Sequence, residues 1–76
     1  MNAHYFAEAV QEIRRVFSYQ YVIRKRIDCA RRLLQVSRIR ILEVGVRSGF
    51  SDHSHFRKVF RRIVGVTPTR YRVELA

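Results

Sequence analysis

Apolar residues recur along this chain with a helical period, and no segment alternates with the period of two that a half-buried strand needs. Phe6, Val10, Ile13 and Phe17 are spaced four, three and four apart, one stripe of a helix over residues 1–17 that Asn2 is placed to cap. Ser18 then reads as the N-cap of a second, long helix over residues 19–35. Its inward stripe is Ile23, Ile27, Ala30 and Leu34, widened by Val22 and Leu33, and Arg24, Lys25, Arg26, Arg31 and Arg32 take the other faces. Residues 37–40 connect to a shorter apolar stripe, Ile41, Leu42 and Val44, which Gly49 ends. Beyond the turn, Phe56, Val59, Phe60 and Ile63 fall at i, i+3, i+4 and i+7, the inner face of a helix over about 53–63. Gly65 is placed to stop that helix, and Thr67-Pro68 opens a last short one with a cap followed by Pro at its first position. Residues 73–76 read as a frayed tail. The predicted fold class is all-α.

The segment 41–72 organises the rest. Gly49 suits the positive φ of a tight turn, after which Phe50 folds back into the core. Asp52 is the expected N-cap of the following helix, with its carboxylate on free N–H groups at the positive end of the helix dipole. Arg40 is a poor start for the preceding helix, because a cation is disfavoured at that end, and Glu43 in the first turn offsets it in part. The outer face of the helix after the turn carries Ser54, Arg57, Lys58 and Arg61, flanked by His53 and His55. A helix, a turn containing Gly and a second helix with a cationic outer face suggest a DNA-reading helix-turn-helix, though an αα-hairpin without that role shares most of the pattern.

Charge sharpens this picture more than size does. Seventy-six residues make one small domain, whose core is marginal, with no disulfide or metal staple in view. Cys29 is the single cysteine and reads as a buried or half-buried thiol in a reducing compartment. Sixteen Lys+Arg against six Asp+Glu give a net charge of +10, and fourteen of the sixteen are Arg, the residue suited to phosphate and guanine. A basic surface also attracts membranes and acidic proteins, so by itself it does not choose the partner. Residues 19–35 lack the Trp and the broad apolar face of a membrane-surface helix, and no apolar run approaches a bilayer span. The first twelve residues hold Glu8 and Glu12 and no Lys or Arg, unlike a signal peptide, so a soluble, cytoplasmic protein is expected.

Candidate chemistry is thin. His53 and His55, two apart on a helix, point in different directions, and neither Cys nor carboxylate completes a metal site beside them. Asp52 as a catalytic carboxylate has no partner acid, base or Gly-rich phosphate loop nearby. No enzyme, metal or cofactor is therefore expected.

The string V-G-x-x-x-G-F-x-D-x-S-x-F-x-K-x-F-x-x-x-x-G-x-T-P-x-x-Y-R, from Val44 to Arg72, resembles the second helix-turn-helix of AraC/XylS-family transcriptional regulators. Gly45 stands where that family usually has Ala, and Lys58 where it often has Arg, which keeps the charge but loses the bidentate fork. Tyr21, Arg26, Ala30, Leu33 and Leu34 resemble the helix that links the family's two reading heads. Residues 1–17 resemble the end of the first head only faintly. Glu8 falls where a basic, DNA-facing residue is usual and Arg15 where a turn Gly is usual, so this segment is expected to pack rather than read.

The resemblance implies a homeodomain-like three-helix module at 37–72, preceded by a linker helix at 18–36, a remnant of the first head at 1–17 and a tail at 73–76. The two helices expected before residue 4 have no counterpart. The resemblance further implies a sequence-specific regulator of double-stranded DNA, associated with the bacterial nucleoid, with RNA polymerase or a full-length relative as further partners. His53, Ser54, His55 and Lys58 would face bases, and Arg57, Arg61, Arg62 and Arg47 would hold phosphates. The rival reading is an interaction protein that interferes with a full-length regulator without reading DNA specifically.

Overall fold

Between residues 3 and 36 the chain holds neither Gly nor Pro, and it forms one uninterrupted helix there. The computed structural model describes residues 3–36 and 38–75. Its elements are α1 (Ala3–Val36), α2 (Ile41–Arg47), α3 (His53–Val64) and α4 (Pro68–Leu75), and the described residues contain no strand.

The expected break at Ser18 does not occur. Serine in a helix interior costs only tenths of a kcal/mol relative to alanine, and nothing around it bars the helical backbone. Asn2, expected as a cap, lies outside the described residues. Nor does the N-terminal half of α1 pack as expected: Phe6 is 62%, Ile13 54% and Phe17 65% exposed. At 3.6 residues per turn, their stripe is rotated roughly a quarter turn from the line of Ile23, Ile27, Ala30 and Leu34, which is buried against the other helices.

That buried line meets Val44 of α2, Phe50 of the turn, and Phe56, Val59 and Phe60 of α3 in one core. Its aromatic rings form a chain, with centroids 5.2 Å apart for Phe50–Phe56 and 5.8 Å for Phe56–Phe60. Phe60 continues it onto Tyr71 of α4, edge to face at 5.6 Å. Such offset and edge contacts add to the area these rings bury. In α2, Leu42 departs from its predicted inward place and is exposed, while Ile41 packs beside the core and Val44 and Gly45 are buried. Gly45 allows this close approach. A Cβ there would stand 2.7 Å from Cδ2 of Phe56.

The turn is built from local signals. Gly49 takes φ of 100°, and the Arg26 side chain lies over it, with Nε 3.0 Å from where a Cβ would be. The Ser48 and Phe50 N–H groups donate to Val44 and Gly45 carbonyls, both at 3.0 Å. Asp52 accepts from the Ser54 N–H at 2.8 Å and the His55 N–H at 3.3 Å, capping α3 as predicted. Arg40 gives α2 no side-chain cap. Gly65 ends α3 in the left-handed region, and Thr67 Oγ1 caps α4 by accepting from the Arg70 N–H at 3.2 Å. The predicted tail at 73–76 is instead the last turn of α4 as far as Leu75, with Ala76 outside the described residues.

Helix α4 fastens the end of α1. The Arg72 guanidinium donates to the carbonyls of Leu34 and Ile39, and Tyr71 Oη accepts from Gln35 Nε2 at 3.1 Å and Arg31 Nε at 3.4 Å. The Arg31 hydrogen bond, followed by that of Gln35, draws the Tyr71 phenol below its usual pKa.

Candidate nucleic-acid interface

The period of α3 divides its residues into two roles. With Phe56, Val59 and Phe60 buried, Ser54, Arg57, Lys58 and Arg61 are left exposed on the other side, where they line one shallow groove with Thr67. No acidic residue lies within α3, so this face is cationic throughout. The Asp52 carboxylate is spent on backbone N–H groups at the start of the helix. Such a face can hold anionic, acceptor-rich ligands and offers donors to them.

The other predicted site residues sit apart from that groove. His53 is half-buried, its ring 6.4 Å from that of Phe56, and its Nδ1 is buried without a hydrogen-bond partner among the described residues. His55 is exposed, with its ring edge-on to Phe50 at 5.8 Å. Arg62 turns away from the groove toward α1, beside Tyr19, Gln20, Ile23 and Arg24. Arg47 lies on α2 and donates to Glu43 Oε1 at 2.9 Å, one turn back along the same helix. Glu43 therefore pairs with Arg47 besides standing in the first turn.

Sequence reasoning missed Thr67 as part of the groove. The signal for it was the left-handed Gly65, which turns the chain back so that the start of α4 lies along α3. Nor did sequence reasoning give Arg26, placed on an outer face of its helix, the part it plays here: its stem covers the turn that sets α3 against α2.

Two helices joined by a glycine turn, the second exposing an acid-free basic face, define a helix-turn-helix protein. The family described as "Helix-turn-helix domain" matches residues 1–74. The chain belongs to that AraC/XylS-type helix-turn-helix family. It is similar to the probable transcriptional regulator LumQ of Photobacterium leiognathi, 43% identical over 53 residues, 70% of this chain and 21% of that protein. It is similar also to the melibiose operon regulatory protein of Escherichia coli, 32% identical over 72 residues, 95% of this chain and 24% of that one. The transcriptional activator RhaR of an Enterobacter strain is 42% identical over 52 residues, 68% of this chain and 18% of RhaR. The chain thus spans about a fifth to a quarter of the length of these curated relatives, which are regulators rather than enzymes. No solved structure matches it significantly. Among the described residues, no helix is long and apolar enough to cross a membrane.

Proposed function

We propose that this chain binds double-stranded DNA sequence-specifically, as part of transcriptional regulation, with α3 in the major groove. The observation that carries the reading is the single exposed, acid-free face formed by Ser54, Arg57, Lys58 and Arg61, opposite the buried Phe56 and Phe60. Ser54 and Lys58, with His53 and His55 near the start of the helix, face base edges, since the early residues of a recognition helix reach them. Arg57, Arg61, Arg62 and Arg47 hold phosphates and fix register. One such module buries only about 600–1,000 Å² of protein surface, so its solitary affinity is modest. The named relatives support the regulatory role, and on this reading the further partner is RNA polymerase or a full-length family relative.

The test is a binding titration of wild type, Lys58→Ala and Arg61→Ala against a selected site and a scrambled duplex, at low and moderate salt. Lys58→Ala is expected to cost about 1–3 kcal/mol on the selected site alone and to relax preference at one position. Arg61→Ala is expected to weaken both duplexes alike and to lower the salt slope by about one unit. If wild type shows no preference and the two variants behave identically, α3 reads nothing.

The exposed Phe6, Ile13 and Phe17 favour a second reading in that event. The chain would then be an interaction protein that pairs through α1 with a full-length family relative and interferes with it. Co-purification with such a relative, abolished by Phe6→Ser and Phe17→Ser, distinguishes this outcome.

A further inference from the structure

Beside the groove lies a second concavity, between α1 and α3, about 400 Å³ in volume. Its walls are Tyr19, Gln20 and Arg24 of α1 and Arg62 of α3, over a floor of Ile23 and Ile63. No acidic residue lines it, and neither Arg24 nor Arg62 has an ion-pair partner among the described residues. Two guanidinium groups thus share one cleft whose floor is apolar. Their mutual repulsion is relieved by an anion, and a guanidinium offers phosphate several N–H donors in a planar fork. The Tyr19 hydroxyl and the Gln20 amide add neutral donors at the rim.

Position decides which anion. Around α3, at about 100° per residue, Arg57 and Arg62 stand on opposite flanks of the line through Ser54, Lys58 and Arg61. A helix lying in a major groove about 12 Å wide has a phosphate strand along each flank. Arg57 and Thr67 occupy one flank, in the groove described above. Arg62 and the α1 cleft occupy the other.

We infer that Arg24 of α1 and Arg62 of α3 together form a site for one DNA backbone phosphate, so that α1 is part of the DNA-contact surface. This rests on the major-groove reading above. It extends that reading by assigning α1, rather than α3 alone, the phosphate strand on this side. The contact positions the protein without reading sequence, as backbone contacts do.

The experiment is a salt titration of duplex binding by the full chain, on a selected and a scrambled duplex. The variants are Arg24→Ala, Arg24→Lys, the double variant Arg24→Ala/Arg62→Ala, and Arg14→Ala as a solvated arginine on the far side of α1, each checked for wild-type helicity. Arg24→Ala is expected to weaken both duplexes by the same several-fold factor, while Arg24→Lys retains most of the binding. The double variant is expected to flatten the slope of log K against log[salt] by about 0.9, the share of one phosphate. Flattening by about 1.8 would place the two arginines on separate phosphates and overturn the shared site. An effect no larger than that of Arg14→Ala, with or without saturable binding of inorganic phosphate, would overturn the inference while leaving the reading of α3 standing. A wild-type protein whose duplex binding ignores salt would overturn both.

Discussion

At Gly45 two energies of opposite sign meet. Glycine inside a helix is about 1 kcal/mol worse than alanine, which by itself makes Gly45→Ala stabilising. Its missing Cβ, however, would stand 2.7 Å from the ring of Phe56, a side chain with no exposed surface and packed on Phe50 and Phe60. Forcing a methyl into such a core costs typically about 1–3 kcal/mol. The steric term is expected to win, so that Gly45→Ala loses about 1 kcal/mol in urea unfolding. A gain in stability would mean that the Phe56 ring moves aside freely. Gly65 is the opposite case: nothing lies within 4 Å of its absent Cβ, and only its φ of 100° asks for glycine.

At the scale of the element, α1 is two helices in energy though one in geometry. Its C-terminal half buries Ile23, Ile27, Ala30 and Leu34 and is held by Tyr71 and Arg72. Among its described side chains the N-terminal half buries no core residue, and the Glu12–Arg15 pair there is solvent-exposed, a class of contact that adds little. What sustains it is propagation from the docked half, which spares it the cost of nucleation. Amide hydrogen exchange is expected to be roughly 100-fold or more faster over residues 5–20 than over 23–34, since local opening there breaks no buried apolar contact. Uniform protection along α1 would show that the exposed stripe is covered in solution. The Arg15 hydrogen bond, together with its charge, holds the Glu12 carboxyl below its usual pKa. Its small contribution is therefore present above the ordinary carboxylate range and is lost as pH falls through the lowered value.

The whole molecule is elongated, 57 × 21 × 19 Å along its principal axes, because half of α1 projects beyond the core. Its radius of gyration is 16.3 Å, against about 11 Å for a compact chain of this length. Small-angle scattering of the monomer is expected to give a value near 16 Å. A value near 11 Å would mean that α1 breaks near Ser18 and folds back, restoring the two-helix arrangement expected from sequence. The charge of +10 is concentrated elsewhere than on the projecting half: the docked half of α1 carries Arg24, Lys25, Arg26, Arg31 and Arg32, beside the basic face of α3. The steep salt dependence expected of duplex binding thus draws on two helices.

What the sequence determined by itself was whatever short-range chemistry decides. Asp52, Gly65 and Thr67-Pro68 set the ends of α3 and α4, because a cap or a left-handed residue acts within one turn of the chain. The inner face of α3 and the outer face of Ser54, Arg57, Lys58 and Arg61 follow from the helical period alone. Ser18 shows where that reach ends: the preference for a break there is tenths of a kcal/mol, and only contacts that repay a turn could realise it. Tertiary structure likewise decided that Leu42 faces solvent while Gly45 is buried, since that depends on which side of α2 meets Phe56. It also decided that Arg62 leaves the α3 groove for α1 and that Thr67 joins it. A helix's period says which residues share a face. Which neighbour that face meets is settled only by how the helices pack.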